Sequence, residues 1–156
     1  MLKFIAVGNR LMTDDGVAIA VAENLKIKLE ALGFEVIIVE TDFQFCFHVL
    51  NADDFVIILD AVYFNGNPGN VDVLDLQEAS FWHEKLSFQH EISIFDLMKI
   101  YSKPLKGYLI GIETAKIDFG IELSDVLMHK FDNICLEVER IIYNFIKHNN
   151  CSSGIQ

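Results

Sequence analysis

The acidic pair Asp14-Asp15, the single Asp60 and the histidine His90 are the residues of this chain whose types suit chemistry at a divalent cation. Asp14 and Asp15 open a predicted helix just after an apolar run. Asp60 closes the apolar segment 54–60, and His90 stands in the first turn of a helix predicted over 87–102. Two carboxylates and an imidazole form a reasonable ligand set, with water or a substrate thiolate or carbonyl at the open positions. Imidazole and carboxylate accept several divalent ions, so residue type leaves the metal open.

Each of these residues also has a plainer use. Asp15 could complement the helix dipole, an effect of about 0.3–1 kcal/mol. Asp60 could cap the turn after its strand, and His90 could be a surface histidine. Gly16 tips the balance. A glycine in the first helical turn costs roughly 1 kcal/mol against alanine, which is acceptable where something approaches the backbone closely. His48, His83, His129 and His148 read as structural or solvated, with His83 in a loop. Phe43, Phe45 and Phe47 read as core or groove lining.

Stepping along the chain gives the elements that must position these groups. Leu2–Val7 is a buried strand. A polar turn leads to a helix over 14–32, with Val17, Val21, Leu25, Leu29 and Leu32 on one stripe. Thr13 is its expected N-cap and Gly33 its stop. Strands follow at 35–40 and 54–60, separated by a short helix over 43–50. The turn cluster 65–69 precedes a strand at 71–76. The helix at 87–102 should turn Ile92, Phe95 and Met98 inward, along with Ile94 and Tyr101, and Pro104 stops it. A last strand spans 105–112. A long helix over 124–147 closes the chain on the stripe Leu127, Phe131, Ile134, Val138, Ile141 and Phe145.

Strands apolar throughout are buried on both faces. The order predicts an α/β fold: a doubly wound, mostly parallel five-stranded sheet with helices on both faces. Its ligand crevice should open at the carboxyl ends of strands one and three, where a 2-1-3 strand order reverses. The expected domain is single, over 1–148, with a flexible tail at 149–156.

Composition narrows the function. Of 156 residues, 52% are hydrophobic and 13 are Phe, which argues against disorder. The formal net charge of -11 disfavours nucleic acid and anionic membranes as partners. No apolar run reaches the roughly 18–20 residues of a membrane span. The apolar start is too short for a signal-peptide core, which predicts a cytoplasmic protein. Cys46, Cys135 and Cys151 are odd in number and lack CxxC spacing, so neither disulfides nor a thiolate metal site are expected. No GxGxxG or Walker pattern follows strand one. Two acids at the helix start would also repel a phosphate there.

The segment from Gly8 to Val17, Gly-Asn-Arg-Leu-Met-Thr-Asp-Asp-Gly-Val, resembles the opening motif of the hydrogenase maturation endopeptidases. Ile57-Ile58-Leu59-Asp60-Ala61 resembles the family's second motif, and Asn67-Pro68-Gly69 its Pro-Gly turn. Ser87-Phe88-Gln89-His90-Glu91 resembles its Ser-x-x-His helix start. Gly107 to Ile112 and Gly120-Ile121-Glu122-Leu123-Ser124 are similar to its closing strand and the approach to its last helix. The motifs run in order over nearly the whole chain.

This resemblance implies an endopeptidase that removes a C-terminal peptide from the nickel-loaded precursor of a NiFe-hydrogenase large subunit. Asp15, Asp60 and His90 would contact the metal, and nickel in the substrate would be the recognition element. Asn9, Asp14, Gly16, Thr41 and Asp42 would support the site or the substrate. Two departures stand out. Thr41-Asp42-Phe43-Gln44-Phe45 replaces the family's usual Gly-Gly-Thr stretch, and Glu113-Thr114 stands where a proline is usual. The first motivates a rival reading, a non-catalytic maturation or nickel-checkpoint binder. A flavodoxin-like cofactor binder is a third.

Overall fold

A computed structural model describes residues 1–40, 42–86 and 94–152. The strands are β1 (Leu2–Val7), β2 (Phe34–Val39), β3 (Phe55–Val62), β4 (Val71–Asp75) and β5 (Lys106–Glu113). The helices are α1 (Val17–Ala31), α2 (Phe43–His48), α3 (Leu76–Leu86), α4 (Ile94–Ile100) and α5 (Asp125–Ser152). The sheet order is β2-β1-β3-β5-β4. All pairs are parallel except β4 with β5, so β4 is an antiparallel edge.

The pleat explains the apolar strands. Phe4, Ala6, Ile57, Leu59, Ile110 and Ile112 pack with α1 and α5 on one face. Ile5, Val7, Val56, Ile58 and Leu109 pack with α2, α3 and α4 on the other. Successive side chains alternate between the two layers, so both must be apolar. On α1, Val17, Val21, Leu25 and Leu29 are buried as their spacing requires. Each such side chain contributes about 1.5–3 kcal/mol. On α5, Leu127, Ile134, Val138 and Ile141 are buried, and Phe145 stacks on Tyr108 at 4.4 Å between ring centroids.

Several local expectations need correction. Residues 13–16 form a separate 3-10 turn, and α1 begins only at Val17. Thr13 is not an N-cap: its φ is 49°, and its hydroxyl is engaged with the loop after β5. Residues 76–86 form α3, which places His83 on a helix rather than in a loop. Leu76, Ala79, Trp82 and Leu86 stand at three- and four-residue steps along it, and Leu76 and Ala79 are buried among its described side chains. Among the described side chains of α4, Leu97 and Met98 are buried, while Tyr101, past its end, is half exposed. The remainder of the expected helix over 87–102, including Ile92, lies outside the described residues. The last helix continues through Ser152, into residues expected to be loose.

Candidate functional site

The pairing of β1 with β3 runs from Leu2 opposite Phe55 to Ala6 opposite Leu59. Asp60 is the next residue, in register with Gly111 of β5 and without a paired partner in β1. There β1 turns away, and Gly8 N–H donates to Val39 O of β2 at 3.2 Å. Asp60 thus faces the gap where the chain leaves in opposite directions, the position at which open α/β sheets bind ligands. Strand β3 runs two residues beyond Asp60, so this aspartate is inside the strand and not at its end. That placement argues against the turn-cap role.

The turn after β1 is folded back on itself. Asn9 Oδ1 accepts Leu11 N–H at 2.9 Å, and Asn9 N–H donates to Asp15 O at 3.3 Å. A Cβ on Gly8 would lie 2.2 Å from Asp15 O, and one on Gly16 would lie 3.2 Å from Arg10 Cα. The close approach anticipated at Gly16 is therefore made by the chain's own turn. Both glycines let the backbone of Asp15 seat against β1.

Asp14 is wholly buried. Its Oδ2 accepts Ala115 N–H (2.9 Å), Lys116 N–H (2.8 Å) and Ser124 Oγ–H (2.9 Å), and its Oδ1 accepts Ser124 N–H (2.7 Å). It fastens the turn after β1 to the loop after β5 and to the start of α5. Asp15, one residue on, is half-buried.

Asp60 is also half-buried. Burial, and then the negative charge of Asp15, hold its carboxyl well above the ordinary carboxylate range, partly offset by the Ala61 N–H. The fold has brought Asp15 and Asp60, 45 residues apart in sequence, within electrostatic reach. His90 and Thr41 lie outside the described residues. Asp42 is exposed and caps α2, accepting Phe45 N–H at 2.9 Å. Among the described residues, no group of three or more His, Cys, Asp or Glu could hold a metal ion.

Two further residues shape this region, and neither was assigned a role from sequence. Ser124 supplies two of the four bonds to Asp14. Buried Glu113 accepts Phe64 N–H at 3.0 Å and Gly66 N–H at 3.2 Å, fixing the loop that leaves β3 just past Asp60. The only sequence signal for Glu113 was its standing where the resemblance led one to expect proline. The buried thiols of Cys46 and Cys135 are pushed up to about 11, chiefly by burial, so neither is a thiolate near neutral pH. Phe47 is core, while Phe45 is exposed beside Ile37, Ile38 and Cys46 in an open groove. Among the described residues no helix is long and apolar enough to cross a membrane.

This is a doubly wound α/β protein with paired acids at its switch point. Residues 19–141 match the family profile HycI, hydrogenase maturation protease. The chain belongs to the hydrogenase maturation protease family, and its class is that of the hydrolytic endopeptidases. The NiFe hydrogenase maturation protease HybD from Thermococcus kodakarensis shares 26% identity at a TM-score of 0.65, over 90% of this chain and 97% of that one. The hydrogenase maturating endopeptidase HybD from E. coli shares the fold, with 19% identity and a TM-score of 0.68 over 92% and 93% of the two chains. So does an endopeptidase from Escherichia coli solved in solution, at 20% identity and 0.70 over 88% and 90%. No curated protein sequence matches the chain. Family membership displaces the flavodoxin-like reading.

Proposed function

We propose that this chain removes a C-terminal peptide from the nickel-loaded precursor of a NiFe-hydrogenase large subunit, in the cytoplasm, with Asp15, Asp60 and His90 contacting the nickel that the precursor carries. The observation that supports this reading is the pair of half-buried carboxylates at the switch point, where the charge of Asp15 works against ionisation of Asp60. Two such groups gain most from a cation placed between them. The family's hydrogenase context favours nickel over zinc as that cation.

Nickel enters as part of the substrate, and Asp15, Asp60 and His90 would use it to dock the scissile bond. A metal there can polarise the carbonyl or lower the pKa of a bound water, with a nearby carboxylate as the base. Asn9, Asp14 and Gly16 hold the turn that presents Asp15. Thr41 and Asp42 would border the cleft. The protonated thiols of Cys46 and Cys135 offer no ready nucleophile.

Nickel-loaded precursor should shorten by its C-terminal peptide on incubation with the wild-type chain, read by intact-mass spectrometry. Asp15→Ala, Asp60→Ala and His90→Ala should each slow this by a factor of about 100 or more, the scale of losing a group that acts in the transition state. Full activity in all three variants would end the assignment of these residues. Binding without any mass change in the wild type would favour a non-catalytic checkpoint protein.

A further inference from the structure

The loops after β1 and β5 meet in a short parallel bridge between Met12 and Gly120. Around it, large apolar side chains stand in solvent: Phe119 is 87% exposed, Ile121 82%, Leu11 61% and Ile117 50%. The knuckle is firmly held. Thr13 N–H donates to Gly120 O at 2.8 Å and Gly120 N–H to Leu11 O at 2.9 Å. The Thr13 hydroxyl donates to Lys116 O at 2.8 Å and accepts Asp118 N–H at 3.1 Å. Single exposed apolar residues are ordinary, but a cluster of them on one fixed feature marks an interaction site.

We propose that this knuckle docks the folded body of the hydrogenase precursor, inserting Phe119 and Ile121 into an apolar depression rimmed by Lys and Arg. The inference rests on the function proposed above. Charge argues for this occupant. Exposed Glu122 and Asp125 border the apolar residues together with Asp118, whose carboxylate lies 4.0 Å from Lys116 Nζ, so acids outnumber this lysine on a chain of net charge -11 and their complement is a basic rim. Position argues for it too. Met12, one side of the bridge, stands three residues before Asp15, so the knuckle is carried by the same turn that presents Asp15. An enzyme that takes a chain end into the crevice must abut the body from which the end emerges. A fixed apolar knuckle binds without the ordering cost of a loose loop.

The test uses the full chain and nickel-loaded precursor, measuring Kd, KM and kcat together. The double variant Phe119→Ser, Ile121→Ser should raise Kd and KM at least about tenfold, the scale of losing aromatic and aliphatic anchors, with kcat at saturation unchanged. Both side chains are exposed, so thermal melting should match the wild type. Glu122→Lys provides a second measure, with weaker binding and a shallower dependence on salt. Unchanged Kd and KM in both variants would overturn the proposal. So would a homodimer in solution that the double variant dissolves while precursor affinity stays intact, which would make a second copy the occupant. The two readings can fail separately. Knuckle-dependent binding by a wild type that never cleaves removes the proteolytic function and keeps the docking. Cleavage with a KM indifferent to the knuckle does the reverse.

Discussion

Asp14 and Asp60 are carboxylates on neighbouring walls of one crevice, and their surroundings are opposite. The wall around Asp14 supplies four hydrogen-bond donors, three from backbone N–H groups and the Ser124 hydroxyl. The wall around Asp60 supplies burial and a second negative charge, against which Ala61 N–H is a small offset. A buried acid surrounded by donors holds structure together. A partly buried acid facing another acid is unfavourable until something positive arrives, and such groups cluster at functional sites. Adjacent sequence positions therefore stand in different surroundings: Asp14 fastens the turn, and Asp15 acts by its charge on Asp60.

If that division is right, removing the saturated acid should cost the most stability. Asp14→Ala leaves three backbone N–H groups and a hydroxyl without their acceptor. Each orphaned buried donor costs about 1–3 kcal/mol, so a loss of about 3 kcal/mol or more is expected. At about 2–4 °C per kcal/mol for a chain of this size, Tm should fall by about 6–12 °C in a thermal melt. A melt within about 2 °C of wild type would mean that water replaces the carboxylate and that the fastening role is minor. Glu113→Ala should follow with a smaller drop, about 1–3 kcal/mol in denaturant unfolding. It orphans only Phe64 N–H and Gly66 N–H, on a loop nearer solvent.

Sequence patterning made the sheet legible, because strands buried on two faces leave apolar runs no surface strand would carry. The stripes of α1 and α5 were legible for the same reason. What escaped was whatever depended on contacts distant in sequence. Asp14 was expected to support the turn behind Asp15, but nothing local showed that its partners lie about 100 positions on, at Ala115, Lys116 and Ser124. Thr13 read as an N-cap, yet its hydroxyl serves the loop after β5. Helix α3 was missed although Leu76, Ala79, Trp82 and Leu86 keep a helical spacing, because it starts directly at the end of β4 with no loop to mark the change. The crevice itself was legible in part: the topology brings Asp15 and Asp60 together as the strand order required, while no local pattern could reveal that Glu113 fixes the loop beside them.

The acid that faces a second acid should respond in the opposite sense and more weakly. Because its carboxyl is raised in the folded protein, the folded state holds the Asp60 proton more tightly than the unfolded chain does. That stabilisation is complete below the unfolded value and is lost as pH rises through the raised folded value. Asp60→Asn keeps the shape and removes the charge at every pH. In metal-free buffer above the raised value, the variant should melt a few degrees higher than wild type, at about 2–4 °C per kcal/mol relieved. The difference should narrow on acidification and vanish where wild-type Asp60 is protonated in both states. Repeating the melts in an Asp15→Asn background separates the two causes of the shift, burial and the neighbouring charge. The gain from Asp60→Asn should shrink there, because one repulsive partner has already gone. An undiminished gain would show that burial alone strains Asp60, and the two acids would no longer count as a pair awaiting a cation.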